Sequence, residues 1–150
     1  PAIKRWAGAR HCYTVGFFRA LLRYRPVTAE VVCDGRSFHD DYLLICAGNT
    51  SHAGGQTMHL SPGANCRDGM LNVSLIKATT RFEVARRFLS LRRGTHIKHR
   101  HAIYLPARDI HVTTAESADV QMDGDNVGTT PARFRVLPGA LQLIVFRNAT

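Results

Sequence analysis

The chain has 150 residues, 45% of them hydrophobic, and 20 Lys and Arg stand against 11 Asp and Glu for a formal charge of +9. That length suits one domain with a real core, and the apolar runs reach strand length only, which excludes a helical membrane span. The cationic excess attracts nucleic acid, anionic lipid surfaces or phosphorylated substrates and does not choose among them.

The first residues, Pro1-Ala2-Ile3-Lys4-Arg5-Trp6, include neither an initiator Met nor an apolar leader, so the chain reads as a processed or excised piece of something longer. From about Ala9 to Tyr24, Tyr13, Phe17, Ala20, Leu21 and Tyr24 recur at helical spacing with Arg10, Arg19 and Arg23 on other faces, and Pro26 ends this basic amphipathic helix. Val27 to Cys33 alternates as a strand, Cys33-Asp34-Gly35-Arg36 signals a hairpin, and a second strand is expected from Tyr42 to Ala47.

The stretch Ala47 to Val73 is dense in Gly, Asn, Ser and Asp and is flanked by apolar runs, which is where a site is commonly carried. Gly48-Asn49 and Gly54-Gly55 are read as turns able to take positive φ and to leave amides open to a phosphate or headgroup. Gln56 to Leu60 reads as a short strand. In Asn65-Cys66-Arg67-Asp68-Gly69-Met70, a carboxylate before Gly can join backbone carbonyls around a hard divalent cation, although Asp-Gly is also a common hairpin turn.

Met70 to Lys77 alternates as a strand with a buried face. Thr80 and Glu83 make a capping-box pattern for a helix from Arg81 to about Arg93, with Phe82, Ala85, Phe88 and Leu89 as its apolar face and Gly94 as its stop. His96, His99 and His101 alternate with cations and have no Cys or carboxylate nearby, so a solvated basic loop is preferred over a zinc site. Strands follow at Ala102 to Leu105, Asp109 to Thr114, Ala118 to Met122, Ala132 to Leu137 and Ala140 to Phe146, with turns at Pro106, Asp123-Gly124-Asp125 and Pro138-Gly139. This texture predicts a mainly β fold, a sandwich of antiparallel sheets with one or two helices. Cys12, Cys33, Cys46 and Cys66 lack C-x-x-C spacing and read as reduced, which fits a cytosolic protein.

Gly48-Asn49, Ala53-Gly54-Gly55, Ser61-Pro62 through Val73, Met122-Asp123-Gly124-Asp125 and Ala132 through Leu141 resemble, in order, the C-terminal half of the diacylglycerol kinase/sphingosine kinase superfamily, particularly its bacterial soluble lipid kinases. The resemblance covers nearly the whole chain. It implies the C-terminal β-sandwich domain of a two-domain lipid kinase, with residues 1–150 as one domain and the N-terminal ATP-binding domain, with its Gly-Gly-Asp-Gly motif, absent from this chain. Carried over, Asp68 with the carbonyls of Asn65 and Met70 would hold a structural Mg²⁺, Asp125 would accept the proton of a lipid hydroxyl, Asp123 would support it, and Gly54 and Gly55 would shape the substrate cleft. Two positions depart from the family pattern: Arg67 replaces the first acid of an acidic pair, and Asp125 stands where the family has Glu. Arg67 is then a candidate phosphate ligand.

The activity so implied is transfer of the ATP γ-phosphoryl group to a lipid hydroxyl, with Mg²⁺ as cofactor and ATP bound by the absent domain. Expected partners are the lipid substrate, an anionic membrane surface and the nucleotide-binding domain of the same protein. A homodimer is a further assembly open to it, and a cytoplasmic location, peripheral at the inner membrane surface, would follow. The alternative is a non-catalytic basic module for anionic lipid or nucleic acid; nucleic acid ranks below lipid because the aromatics fall mainly at apolar-face positions instead of forming a stacking platform.

Overall fold

The computed structural model describes residues 25–53 and 58–142. The helix expected from Ala9 to Tyr24 and the glycines Gly54 and Gly55 lie outside the described residues.

The first strands are β1 (Val27–Cys33) and β2 (Arg36–Gly48), joined by a two-residue turn. Asp34 and Gly35 both have positive φ, 47° and 84°, the conformation that matches the twist of a tight hairpin. Next come β3 (Leu71–Lys77), helix α1 (Arg81–Arg93) and a 3₁₀ turn at Thr95–Lys98. Thr80 caps α1 by accepting from the Glu83 amide, and Gly94 closes it in the left-handed region at φ 70°. The chain ends its described part with β4 (Ala102–Ala107), β5 (Asp109–Thr114), β6 (Asp119–Met122), β7 (Asp125–Thr129) and β8 (Ala132–Arg135).

Six strands form an antiparallel sheet in the order β4-β3-β2-β1-β5-β8, and β6 and β7 make a separate hairpin. In a flat sheet β4 and β5 would lie about 19 Å apart, at about 4.8 Å per strand. Only Arg108 separates the two strands in sequence, a span of about 7 Å. The sheet therefore rolls over on itself into a sandwich-like body. β2 turns the corner: its first half pairs with β1, its second half with β3, and the register slips between Tyr42 and Leu44.

The core fills the inside of this roll with Ala29, Val31 and Cys33 from β1, Tyr42 from β2, Val73 and Leu75 from β3, and Ala107, Ile110 and Val112 from β4 and β5. Alternation along each strand explains the set, because every second residue faces inward. Burial pushes the Cys33 and Cys46 thiols up from their ordinary range, and Cys33, Cys46 and Cys66 are all free.

Several expectations change. β2 is longer than the Tyr42 to Ala47 run, because its first half is exposed and polar on one side and so hides the strand from a hydrophobicity reading. Pro106 does not turn the chain. It is an exposed residue within β4, an edge strand, where a missing N–H costs no ladder bond. Asp123-Gly124 is a hairpin turn that starts β7, a strand the sequence did not betray since all five of its residues are exposed. Gln56 to Leu60 is not a strand among its described residues: Met58 makes a single bridge to Ala53, and His59 and Leu60 are irregular. Residues 140–142 are not strand either, and the rest of the Ala140 to Phe146 run lies outside the described residues. On α1, Val84 and Leu91 are buried while Phe82 is 77% exposed, so the inner face is rotated from the expected one.

Candidate functional site

Four features stand out, and two of them, a loop and a hairpin, sit where the sequence placed chemistry. The first is the loop from residue 58 to 70, which is pinned to the sheet by polar contacts. Ser74 Oγ donates to the Leu60 carbonyl at 2.8 Å, Ser61 Oγ to the Asn72 carbonyl at 3.3 Å, and Tyr104 Oη to the Pro62 carbonyl at 2.6 Å. Asn72 Nδ2 donates in turn to Tyr104 Oη at 2.8 Å. Ser61 and Ser74 are each 1% exposed, and burying a hydroxyl is tolerable when it is bonded. Gly48 is needed here for space: a Cβ would come within 2.8 Å of Ser61 Cβ, and neither Gly48 nor Asn49 has the positive φ expected of them.

At the end of this loop the candidate metal residues come together. Asp68 Oδ1 accepts from the Met70 amide at 2.9 Å, Asn65 Oδ1 from the Arg67 amide at 3.0 Å, and the Asn65 carbonyl from the Asp68 amide at 3.3 Å. These bonds leave the second Asp68 oxygen and further carbonyl lone pairs on Asn65 and Met70, all in one exposed turn. That all-oxygen donor set suits Mg²⁺ or Ca²⁺ completed by water. Among the described residues no group of three or more His, Cys, Asp and Glu is arranged to hold a metal, and this loop brings a single carboxylate. Gly69, at φ 69°, turns the chain here and faces Pro138.

The second feature is a corner that the sequence reading missed. Both carboxylate oxygens of Asp34 accept from the Arg108 amide at 3.1 and 3.0 Å, and Oδ1 also accepts from the Asp109 amide at 2.9 Å. The Asp34 amide donates to the Asp109 carbonyl at 2.9 Å, and the Val136 amide to the Arg108 carbonyl at 2.9 Å. Arg108 Nε reaches Met70 Sδ at 3.2 Å, which ties this corner to the candidate metal loop. Beside it, the Arg133 guanidinium grips the Asp109 carboxylate and holds its pKa below the usual carboxylate range.

The third feature is the β6–β7 hairpin. Its tip holds Asp123 at φ 52° and Gly124 at φ 99°, and Asp125 pairs in register with Met122. Asp123 and Asp125 are exposed, and neither carboxylate has a hydrogen-bond or ion-pair partner among the described residues. At its base, the Thr130 amide donates to the Ala118 carbonyl at 2.9 Å, the Ala118 amide to Thr130 Oγ1 at 3.0 Å, and the Thr130 hydroxyl meets that of Thr114. Among the described residues, no hydrogen bond or ion pair links the hairpin tip to the loop bearing Arg67 and Asp68. The Arg67 guanidinium is exposed and has no ion-pair partner among the described residues.

The fourth feature lies under α1. A cavity of about 50 Å³ is lined by Leu43, Ile76, Val84, Leu91 and Ala102, with Lys77, Thr79, Ser90, His96, His99 and His101 completing its wall. His96 is 5% exposed, which corrects the solvated basic loop expected around it. Neither ring nitrogen closes a hydrogen bond. Burial lowers its pKa; the Leu60 and Ser90 carbonyls nearby act weakly the other way without completing a bond by distance and angle. The imidazole is thus neutral at neutral pH. Lys77 is paired with Asp40 at 2.5 Å, which holds the Asp40 pKa below its ordinary value.

Comparison with known proteins assigns this sandwich-like β domain to a family. A model of the YegS C-terminal NAD kinase beta sandwich-like domain matches residues 3–145, and the chain belongs to that family. It is 29% identical over 141 residues to a diacylglycerol kinase of Mycobacterium tuberculosis (strain ATCC 25618 / H37Rv), covering 93% of this chain and 45% of that one. It is 30% identical over 110 residues to a diacylglycerol kinase of Bacillus subtilis (strain 168), covering 73% and 36%. A crystal structure of a diacylglycerol kinase from Bacillus anthracis str. Sterne shares the fold, with a TM-score of 0.60 at 21% identity over 84% of this chain and 44% of that one. The chain thus spans less than half the length of these relatives. Among the described residues, no helix is long and apolar enough to cross a membrane.

Proposed function

We propose that this chain is the C-terminal, lipid-substrate-binding half of an ATP-dependent lipid kinase of the diacylglycerol kinase type. Joined to a nucleotide-binding domain in the same protein, it would transfer the ATP γ-phosphoryl group to a lipid hydroxyl. The observation that carries this reading is the sandwich-like β domain itself, whose relatives are named diacylglycerol kinases; the cavity of about 50 Å³ under α1, walled by Leu43, Ile76, Val84 and Leu91, would take only a few methylenes of a lipid.

In this proposal Asp125 takes the proton of the lipid hydroxyl and Asp123 orients it, both presented on the tip of an exposed hairpin. Asn65, Asp68 and Met70 would hold Mg²⁺, which would fix the loop and supply positive charge beside the phosphates. Arg67, exposed in that loop, would pair with a phosphate oxygen. Gly54 and Gly55 would shape the cleft.

The experiment uses the full-length protein, ATP and diacylglycerol in mixed micelles. Asp125→Asn should lower turnover by roughly 10² to 10⁴ at unchanged melting temperature, since a base contributes that much and Asp125 has no structural partner. Arg67→Asp, restoring the acidic pair, separates the two roles of that position: a rise in turnover makes Arg67 a handicap, and a loss makes it a phosphate ligand. Steady phosphorylation by Asp125→Asn would remove Asp125 from the mechanism.

A further inference from the structure

Charge is segregated along this chain. Residues 81–100 hold seven Lys and Arg and a single acid, a net of +6 out of the chain's +9. The structure puts most of that charge outside: Arg81, Arg86, Arg92, Arg93, Lys98 and Arg100 are all exposed. Glu83, the lone acid, is turned toward Thr79 and lies 3.9 Å from Arg86, so it interrupts the field little.

A solvated helix face would account for some of these residues. Arg92 and Arg93 in the last turn favour the helix through its dipole. Arg81 does not, since a cation in the first turn meets the positive end of the dipole. Lys98 and Arg100 lie beyond the helix altogether. Phe82 is also unexplained by solvation, because 77% of it stands in water. At about 100° per residue, Phe82, Arg86 and Arg93 fall within about 40° of one another on α1. Val84 and Leu91, 3% and 9% exposed, occupy the opposite side and face the sheet. The helix is therefore seated by one stripe and presents an aromatic ring within a cationic field on the other.

We propose that the outward face of α1 and the 3₁₀ turn after it docks on an anionic lipid bilayer, with Phe82 entering the interface and Arg86, Arg92, Arg93, Lys98 and Arg100 over the headgroups. Basic side chains around an apolar anchor are the pattern of a surface that lies on a membrane without spanning it. The apolar cavity lies directly beneath this helix, with Lys77, Thr79 and His101 in its wall, so docking would bring it next to the source of acyl chains. The inference rests on the lipid kinase reading only for the identity of the partner. Its test measures no turnover, so either can fail without the other.

The chain is sedimented with vesicles of phosphatidylcholine alone or of equimolar phosphatidylcholine and phosphatidylglycerol. Binding should require phosphatidylglycerol and weaken with salt. Arg92→Gln with Arg93→Gln should weaken it by roughly fivefold per charge, about 30-fold together, because each cation near an anionic surface contributes on that scale. Phe82→Trp in a Trp6→Phe background should shift its emission to the blue on the anionic vesicles and be quenched by brominated acyl chains. Retention of full binding by the double Gln variant, or an unshifted tryptophan on bound chain, overturns the proposal. So does indifference to the vesicles combined with binding of duplex RNA that depends on Arg92 and Arg93, which would assign the face to nucleic acid.

Discussion

Replacing Asp34 tests how the roll of the sheet is held shut. Its carboxylate accepts from two backbone amides, those of Arg108 and Asp109, at the one residue that joins β4 to β5. A hydrogen bond from an amide to an ionised group contributes about 1.5–3 kcal/mol, and exposure of Asp34 to solvent puts both bonds toward or below the low end of that range. Asp34→Gly keeps the positive φ of 47° accessible, so the loss it causes belongs to the carboxylate and not to backbone strain. The expected cost is about 2–3 kcal/mol, which for a chain of this size is a fall in melting temperature of roughly 4–12 °C. Asp34→Asn keeps one acceptor oxygen and tolerates the same φ, and should fall between the two. Thermal unfolding followed by far-UV circular dichroism reads all three. If Asp34→Gly melts within about a degree of the parent, strand pairing alone closes the roll and the corner is ornamental.

His96 gives a pH dependence of known sign. Its folded pKa is lowered by burial, so its contribution to stability is complete above about 6.5 and is lost as pH falls through the folded pKa. His96→Leu should flatten the decline in denaturant midpoint between about pH 6.5 and 5, a window above the range in which Asp40 and Asp109, whose pKa values are lowered, begin to protonate. An unchanged decline would show that His96 does not cause it. For the metal loop, Mg²⁺ or Ca²⁺ at about a hundred times its Kd should add about 2.7 kcal/mol of stability. Asp68→Ala should abolish that increment, whereas an equal rise in the variant would leave the Asp68-Gly69 turn as a turn only.

The fold was legible in the sequence wherever one face of an element is apolar. The β1–β2 hairpin, β3, the capping box of α1 and its Gly94 stop are local signals, and each falls where it was read. β7 was not legible because Asp125, Asn126, Val127, Gly128 and Thr129 are exposed on both faces and show no alternation. Phe82 misled for a related reason: periodicity marks a large apolar residue as inward, and nothing local says that this one points to solvent. At the candidate site, the turn chemistry of Asp68-Gly69 and Asp123-Gly124 could be read from the residues themselves. The tie from Asp34 to Arg108 spans 74 positions, and the burial of His96 depends on elements packed from elsewhere. Such long-range closures leave no periodic trace.

Asp68 and Asp125 stand on different kinds of support, which bears on the shortened base. Asp68 belongs to a loop held by its own amide bonds and tied through Met70 to the Arg108 corner. Its position is set by the main sheet. Asp125 is carried by a two-stranded hairpin that, among the described residues, pairs with no other strand and is held at its base through Ala118, Thr114 and Thr130. A lone hairpin is marginal by itself, so small displacements of its tip cost little. Exchanging Glu for Asp shortens the side chain by one carbon, about 1.5 Å. A base has to come within about 3 Å of the hydroxyl it deprotonates. Under the proposed function, a tip that moves more easily than the loop could recover that distance as substrate and nucleotide domain come together. The charge reversal at Arg67 cannot be offset by such movement, because Arg67 belongs to the loop tied to the main sheet. Of the two departures from the family pattern, Arg67 is therefore the one whose replacement, Arg67→Asp, tests the proposed site most directly.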